Sequence, residues 1–262
     1  MIGTFLSGPI YVSMDDKQRS AYSDAPGVDM DIVKLILGAA LVAMCALPIT
    51  PVSPAAAQPC PDVEVVFARG TYEPPGVGGP GQSFVDALRA RTGERSVEVY
   101  PVNYAASGNF GDRIEFARTV VDGIRDAADH IEATARDCPN TKVVLGGYSQ
   151  GAVVAGYVTA ATVPDGIPPE YKQYIPDPMP PEVSDHVAAV VLLGTPSDEF
   201  MRDIGAPAMV IGPRYKDKTI ELCEPGDTIC DGTPAGAPSF AHGAYVFNGM
   251  PAQAADFTVG RL

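Results

Sequence analysis

The chain has 262 residues, of which 46% are hydrophobic and 19% charged, below the roughly 25% charged of an average soluble domain, so it reads as one large or two small globular domains rather than a disordered chain. Thirty-two acidic against eighteen basic residues give a net charge of -14, the wrong sign for a surface that tracks phosphates, which excludes nucleic acid as a partner. The 27 Gly and 26 Pro point to many tight turns between short elements.

The first elements are those of a targeting region. An apolar run from Leu35 to Leu47 follows Lys34 and stops at Pro48. At about 13 residues it is shorter than the about 20 that a spanning helix needs. Pro54-Ala55-Ala56-Ala57 then supplies the small residues of a cleavage site, so residues 30–57 read as a secretory signal peptide, with a short membrane anchor as the rival. Met30 stands where such a peptide would start, and residues 1–29 read as an over-extended reading frame or a disordered leader. One cysteine, Cys45, falls inside the apolar run; the bulky Met44 before it disfavours a lipidated cysteine. Four more, Cys60, Cys138, Cys223 and Cys230, follow, an even number that suits two disulfides in an oxidising compartment. No Cys-x-x-Cys pair exists, which disfavours zinc, and no metal or organic cofactor is expected.

From residue 58 to 262 strand and helix patterns alternate as one domain. A β-branched run from Val63 to Ala68 is followed by a Gly/Pro-rich turn and an amphipathic stretch from Gln82 to Thr92. The pattern repeats as a strand from Val97 to Val102 with a helix from Ile114 to Arg136, then a strand from Lys142 to Gly146 with a helix from Ala152 to Ala161. Strands from Val187 to Leu193 and Thr219 to Leu222 and a helix from Ala252 to Leu262 complete it. Near-continuously apolar strands separated by helices predict an α/β fold, a five-stranded parallel sheet covered on both faces. The Pro-rich stretch from Pro164 to Pro181, with Ile167, Tyr171, Tyr174, Ile175 and Met179, predicts an ordered insertion over the sheet's edge.

Between the third strand and its helix lies Gly147-Tyr148-Ser149-Gln150-Gly151. A Gly-x-Ser-x-Gly in that context predicts a nucleophile elbow, a strained turn with Gly on both sides because side chains there would strike the neighbouring strand or helix. A serine needs a base, and the base needs an orienting carboxylate. Of the three histidines, His130 falls mid-helix upstream and is expected at the surface, His186 precedes a buried strand as a cap or a satisfied edge position, and His242 sits in a Gly/Ala-rich loop before the last helix. The order Ser, acid, His of α/β-hydrolases selects His242. Asp198 and Asp227 compete for the acid, and Asp227, beyond the second strand after the nucleophile's, takes precedence.

These residues resemble the cutinase family, in particular the secreted cutinase-like esterases of mycobacteria, over roughly residues 60–262. The carriers are Phe67-Ala68-Arg69-Gly70-Thr71, Asn140-Thr141-Lys142 with Leu145-Gly146-Gly147-Tyr148-Ser149-Gln150-Gly151, the Cys223 to Cys230 loop around Asp227, and His242. The resemblance implies an α/β-hydrolase three-layer sandwich with Ser149 as nucleophile, His242 as base and Asp227 as orienter. It further implies disulfides Cys60–Cys138 and Cys223–Cys230 and an oxyanion hole from the amides of Thr71 and Gln150. The expected protein is a secreted, monomeric serine esterase acting on carboxylic or lipid esters of short to medium acyl chains, in peripheral contact with lipid or the cell envelope. Rival expectations are acyl transfer or hydrolysis on envelope glycolipids or phospholipids, and a catalytically silent binding protein of the same fold.

Overall fold

A computed structural model describes residues 59–234 and 237–262. The expectations for residues 1–29, for the signal peptide at 30–57 and for Cys45 lie outside the described residues. Gln58 to Leu262 forms a single compact unit.

Five strands, β1 (Val63–Ala68), β2 (Val97–Pro101), β3 (Lys142–Tyr148), β4 (Val187–Leu193) and β5 (Thr219–Leu222), form one parallel sheet in the order β2-β1-β3-β4-β5. The chain enters at β1, steps out to β2, and returns to the other side of β1 as β3. Connections therefore diverge between β1 and β3, at the carboxyl edge where doubly wound folds place their ligands. In register, Phe67 of β1 pairs with Gly146 and Ala68 with Gly147. A register shift at Val143/Val144 lets Val187 and Val190 of β4, three residues apart, point into the same core.

Helices cover both faces. On one, α1 (Gly78–Arg89) and α6 (Met250–Val259) bury Phe84, Leu88, Ala254 and Ala255 against Val65, Phe67, Val144 and Leu193. On the other, α2 (Arg113–Asp137) and α3 (Gln150–Val158) pack Val120, Ala127, Ile131, Val154 and Ala155 on Val66, Leu145 and Leu192. Asp112 starts α2 by accepting hydrogen bonds from the amides of Ile114 (3.1 Å) and Glu115 (3.0 Å). Every residue of α3 except Tyr157 is buried, the state expected of a helix that is apolar all round. Cys60 and Cys138 are disulfide-bonded across a separation of 78 residues, joining the approach to β1 with the end of α2.

Helix α1 begins four residues before the expected Gln82. Its first turn is Gly78-Gly79-Pro80-Gly81, which reads locally as a turn, yet Pro is tolerated in a first turn and Glu73 accepts a 2.7 Å hydrogen bond from the free Gly79 amide. Gly81 permits the close approach, since a Cβ there would come within 2.7 Å of the Phe67 ring. His130 is half-buried rather than a plain surface residue: its Nε2 lies 3.0 Å from Glu64 Oε1 and its ring stacks on Tyr100 at 3.5 Å. The segment from Pro164 to Pro181 contains a short helix, α4 (Pro169–Lys172), and packs on the α2 and α3 layer. Met179 inserts into the α2 core, and Arg125 Nη2 of α2 donates to the Tyr174 carbonyl at 2.7 Å. A further helix, α5 (Asp198–Asp203), follows β4.

Candidate active site

Ser149 stands between the last residue of β3 and the first of α3 with φ 54° and ψ −118°, a conformation L residues rarely adopt. Such strain costs on the order of 1–3 kcal/mol, and the surroundings hold it in place. Its amide donates to Leu193 O at 2.9 Å. A Cβ on Gly147 would lie 2.0 Å from the Gly151 carbonyl oxygen, and one on Gly151 would lie 2.0 Å from the Ala68 carbonyl oxygen. Both glycines of the motif are thus required by backbone contact on either side of the turn.

Asp227 sits in the loop after β5, closed by the Cys223–Cys230 disulfide over a separation of 7 residues. It is fully buried. Its Oδ1 accepts from the Ile229 amide at 3.0 Å, its Oδ2 from the Tyr245 hydroxyl at 2.8 Å, and both oxygens lie 2.9 Å from His242 Nδ1. Burial alone would raise the carboxyl pKa; the hydrogen bonds from His242, Ile229 and Tyr245 outweigh it and hold Asp227 below the ordinary value. An ionised carboxylate only accepts, so Nδ1 carries the proton and Nε2 is left as an acceptor. Nε2 lies 2.9 Å from Ser149 Oγ, within reach of the hydroxyl proton. The imidazole is flanked by the Tyr148 ring at 5.2 Å, and the Tyr148 hydroxyl donates to the His242 carbonyl.

Asp198, the other candidate acid, is exposed and opens the first turn of α5. His186 ends a 3₁₀ turn ahead of β4. Neither meets the serine. Thr71 lies in the loop after β1, whose main chain is held on both sides. Glu73 Oε2 accepts from the Gly70 amide at 2.7 Å, Arg69 Nε donates to the Glu73 carbonyl at 2.9 Å, and Arg69 Nη2 to the Tyr104 carbonyl at 2.6 Å. Gln150 opens α3, so its amide is one of the unpaired donors at the positive end of that helix, while its Nε2 donates to Ser107 O at 3.0 Å. Thr71, Ser149, Gln150 and His242 all border one cavity of about 1230 Å³. Ile167, Tyr171, Tyr174, Ile175 and Met179 border it as well. Among the described residues no cluster of three or more metal-ligating side chains exists.

Glu73 and Tyr245 escaped sequence reasoning. Glu73 is a lone charge in a Gly/Pro-rich turn, with nothing local to say that its carboxylate gathers the amides of Gly70 and Gly79. Tyr245 did leave a signal: it follows His242 by three residues inside a 3₁₀ segment (Phe240–Val246), a helix with three residues per turn, so both face the same way.

A doubly wound parallel sheet that holds a serine on a strand-to-helix elbow, with histidine and aspartate delivered by later loops, has the α/β-hydrolase fold. Within that class the chain belongs to the cutinase family, whose sequence profile, Cutinase, matches residues 59–262. It is 52% identical over 181 residues to the probable carboxylesterase Culp5 of Mycobacterium tuberculosis, covering 69% of this chain and 96% of that one. It is 44% identical over 227 residues to phospholipase Culp4 of the same organism, covering 86% and 90%. Among solved structures it resembles the Trichoderma reesei cutinase in complex with a C11Y4 phosphonate inhibitor, with TM-score 0.55, 31% identity and 77% of each chain covered.

Proposed function

We propose that this protein, a carboxylic ester hydrolase by family, is a secreted serine esterase that works through an acyl-enzyme on Ser149. The observation that carries the reading is the line of hydrogen bonds from Asp227 through His242 to Ser149 Oγ, with 2.9 Å at each link. In the first half-reaction Ser149 Oγ bonds to the ester carbonyl carbon while His242 Nε2 takes its proton. The carbonyl π electrons move onto oxygen, where the amides of Thr71 and Gln150 receive the charge. As the oxyanion collapses, the bond to the alcohol oxygen breaks and His242 returns the proton to the departing alcohol. Water then repeats the sequence: it loses a proton to His242, attacks the acyl carbon, and releases the carboxylic acid as the proton goes back to Ser149. Asp227 keeps His242 in the tautomer that accepts at Nε2 and stabilises the imidazolium that forms. No step calls on a metal or an organic cofactor.

Carboxylic and lipid esters are the substrate class, and the similarity to a relative named phospholipase supports glycerolipid esters as the second class to assay. Two disulfides suit an oxidising compartment, which supports secretion; action as a monomer with peripheral access to lipid or envelope is part of the same proposal. A fluorophosphonate probe is expected to label the protein at Ser149 and to stop hydrolysis of p-nitrophenyl esters. Ser149→Ala is expected to lose labelling and about three to six orders of magnitude in turnover while keeping its fold. A variant that kept a tenth of the activity would overturn the assignment.

A further inference from the structure

Phe116, Val120, Ile124 and Ala128 follow one another at four-residue intervals on α2 and so form one stripe along it. All four border the cavity that opens at Ser149. Its lining on α2 extends from Arg113 to Ala128, a helix length of roughly 22 Å at about 1.5 Å per residue. On α3 the lining extends from Gln150 to Val158. Helices between parallel strands return from the carboxyl edge of the sheet, so both lead away from the edge that carries Ser149. The lining of the cavity therefore follows two helices as well as the serine.

The facing wall comes from the insertion, from α5 and from the residue that caps it, through Ile167, Ile175, Phe200 and Ile204 among others. It is tied at two points: Arg125 Nη2 donates to Tyr174 O at 2.7 Å, and the Tyr157 hydroxyl donates to Pro207 O at 2.6 Å. The charged α2 side chains at the cavity, Arg113, Arg118, Asp122 and Arg125, are exposed, so charge stays at the rim while the apolar stripe lies within. At about 1230 Å³ the space exceeds the roughly 300–1,000 Å³ of pockets for drug-sized ligands.

We propose that this cavity takes one extended acyl chain of about 16 to 18 carbons, with its carbonyl at Ser149 and its tail beside Ala128, making long-chain fatty-acyl esters the preferred substrates. The length follows from the geometry of extended chains, which advance about 3.3–3.6 Å over three bonds, so the 15 to 17 bonds of such a chain extend about 17–20 Å and fit within the roughly 22 Å of lining. The sequence reading expected short to medium acyl chains; a lining that runs along α2 from Arg113 to Ala128, with the Pro164 to Pro181 segment beside it, favours longer ones. The ester chemistry rests on the serine-esterase reading, but the fit of the chain does not, and the test separates them.

Binding of palmitate and of butyrate is measured by calorimetry on Ser149→Ala protein, with palmitate below its micellar concentration. Palmitate is expected to bind at least a hundredfold more tightly than butyrate. Ile124→Trp on α2 and Ile175→Trp on the facing loop, each added separately and checked for an intact melting transition, are expected to weaken palmitate binding at least tenfold. Two variants from opposite walls keep the test decisive if one fails to fold. In the active protein kcat/KM on p-nitrophenyl esters is expected to rise at least tenfold from eight to sixteen carbons. Palmitate binding no tighter than butyrate, or unchanged by both folded tryptophan variants, overturns the proposal. Tight palmitate binding without fluorophosphonate labelling would overturn the esterase reading and leave the acyl-binding cavity standing.

Discussion

Asp227→Asn keeps the shape of the buried side chain and offers His242 Nδ1 an amide in place of a carboxylate. Where the amide donates, Nδ1 has to accept, so the proton moves to Nε2 and Ser149 loses its base. The expected result is a fall in kcat of about 10⁴ with the fold retained. Asp198→Asn, exposed at the start of α5, is expected to stay within about twofold of wild type. Tyr245→Phe removes one of the three donors on Asp227, and a hydrogen bond to a charged group is worth about 1.5–3 kcal/mol, so kcat is expected to drop about tenfold with KM little changed. Equal losses in the two aspartate variants would dismiss Asp227 as the orienter. Ser149 was legible because Gly-x-Ser-x-Gly between a strand and a helix leaves few conformations open. Glu73 was not, because hydrogen bonds to loop amides leave no pattern of their own in the chain, and the three-residue spacing of Tyr245 from His242 becomes a signal only once the segment is known to be a 3₁₀ helix.

At the scale of elements, the two disulfides do different work. The chain-entropy relation assigns about 4.5 kcal/mol to a loop as long as that of Cys60–Cys138 and about 2.5 kcal/mol to one as short as that of Cys223–Cys230. The long bridge joins the chain before β1 to the end of α2, far from the serine, whereas the short one closes the loop that carries Asp227. Replacing both cysteines of the long bridge by serine is expected mainly to lower Tm. The same change in the short bridge is expected mainly to lower kcat. Thermal melts and steady-state kinetics on the two variants decide the matter, and equal losses of activity at unchanged Tm would refute the division. The central strands β1, β3 and β4 were readable because, buried on both faces, they are apolar almost throughout, whereas the edge strands β2 and β5 are only partly buried and keep Glu98 and Glu221. The start of α1 was not, because Gly78-Gly79-Pro80-Gly81 becomes helical only when Glu73 accepts its amide and Phe67 lies against Gly81.

For the whole molecule, the compact unit from Gln58 to Leu262 is proposed to fold and act alone. Protein starting at Gln58 is expected to melt in one cooperative transition and to react with the fluorophosphonate probe as fast as the longest form that can be purified. Its Tm should stay within about 2 °C of that form, less than 1 kcal/mol would shift a domain of this size. Mass spectrometry of the protein recovered from culture medium should place its first residue at Gln58; an N-terminus retained before Leu35 would reject the cleavage reading. The sequence by itself determined the alternation of strand and helix, the elbow, the order Ser149, Asp227, His242 and the family, since each rests on local pattern, spacing or motif. Only the tertiary structure decided what lies beside what. Non-local contacts placed Tyr245 on Asp227, Glu64 on His130 and the Pro164 to Pro181 segment on α2, because which buried polar group finds a partner, and which helix an insertion covers, depends on distances between residues far apart in the chain.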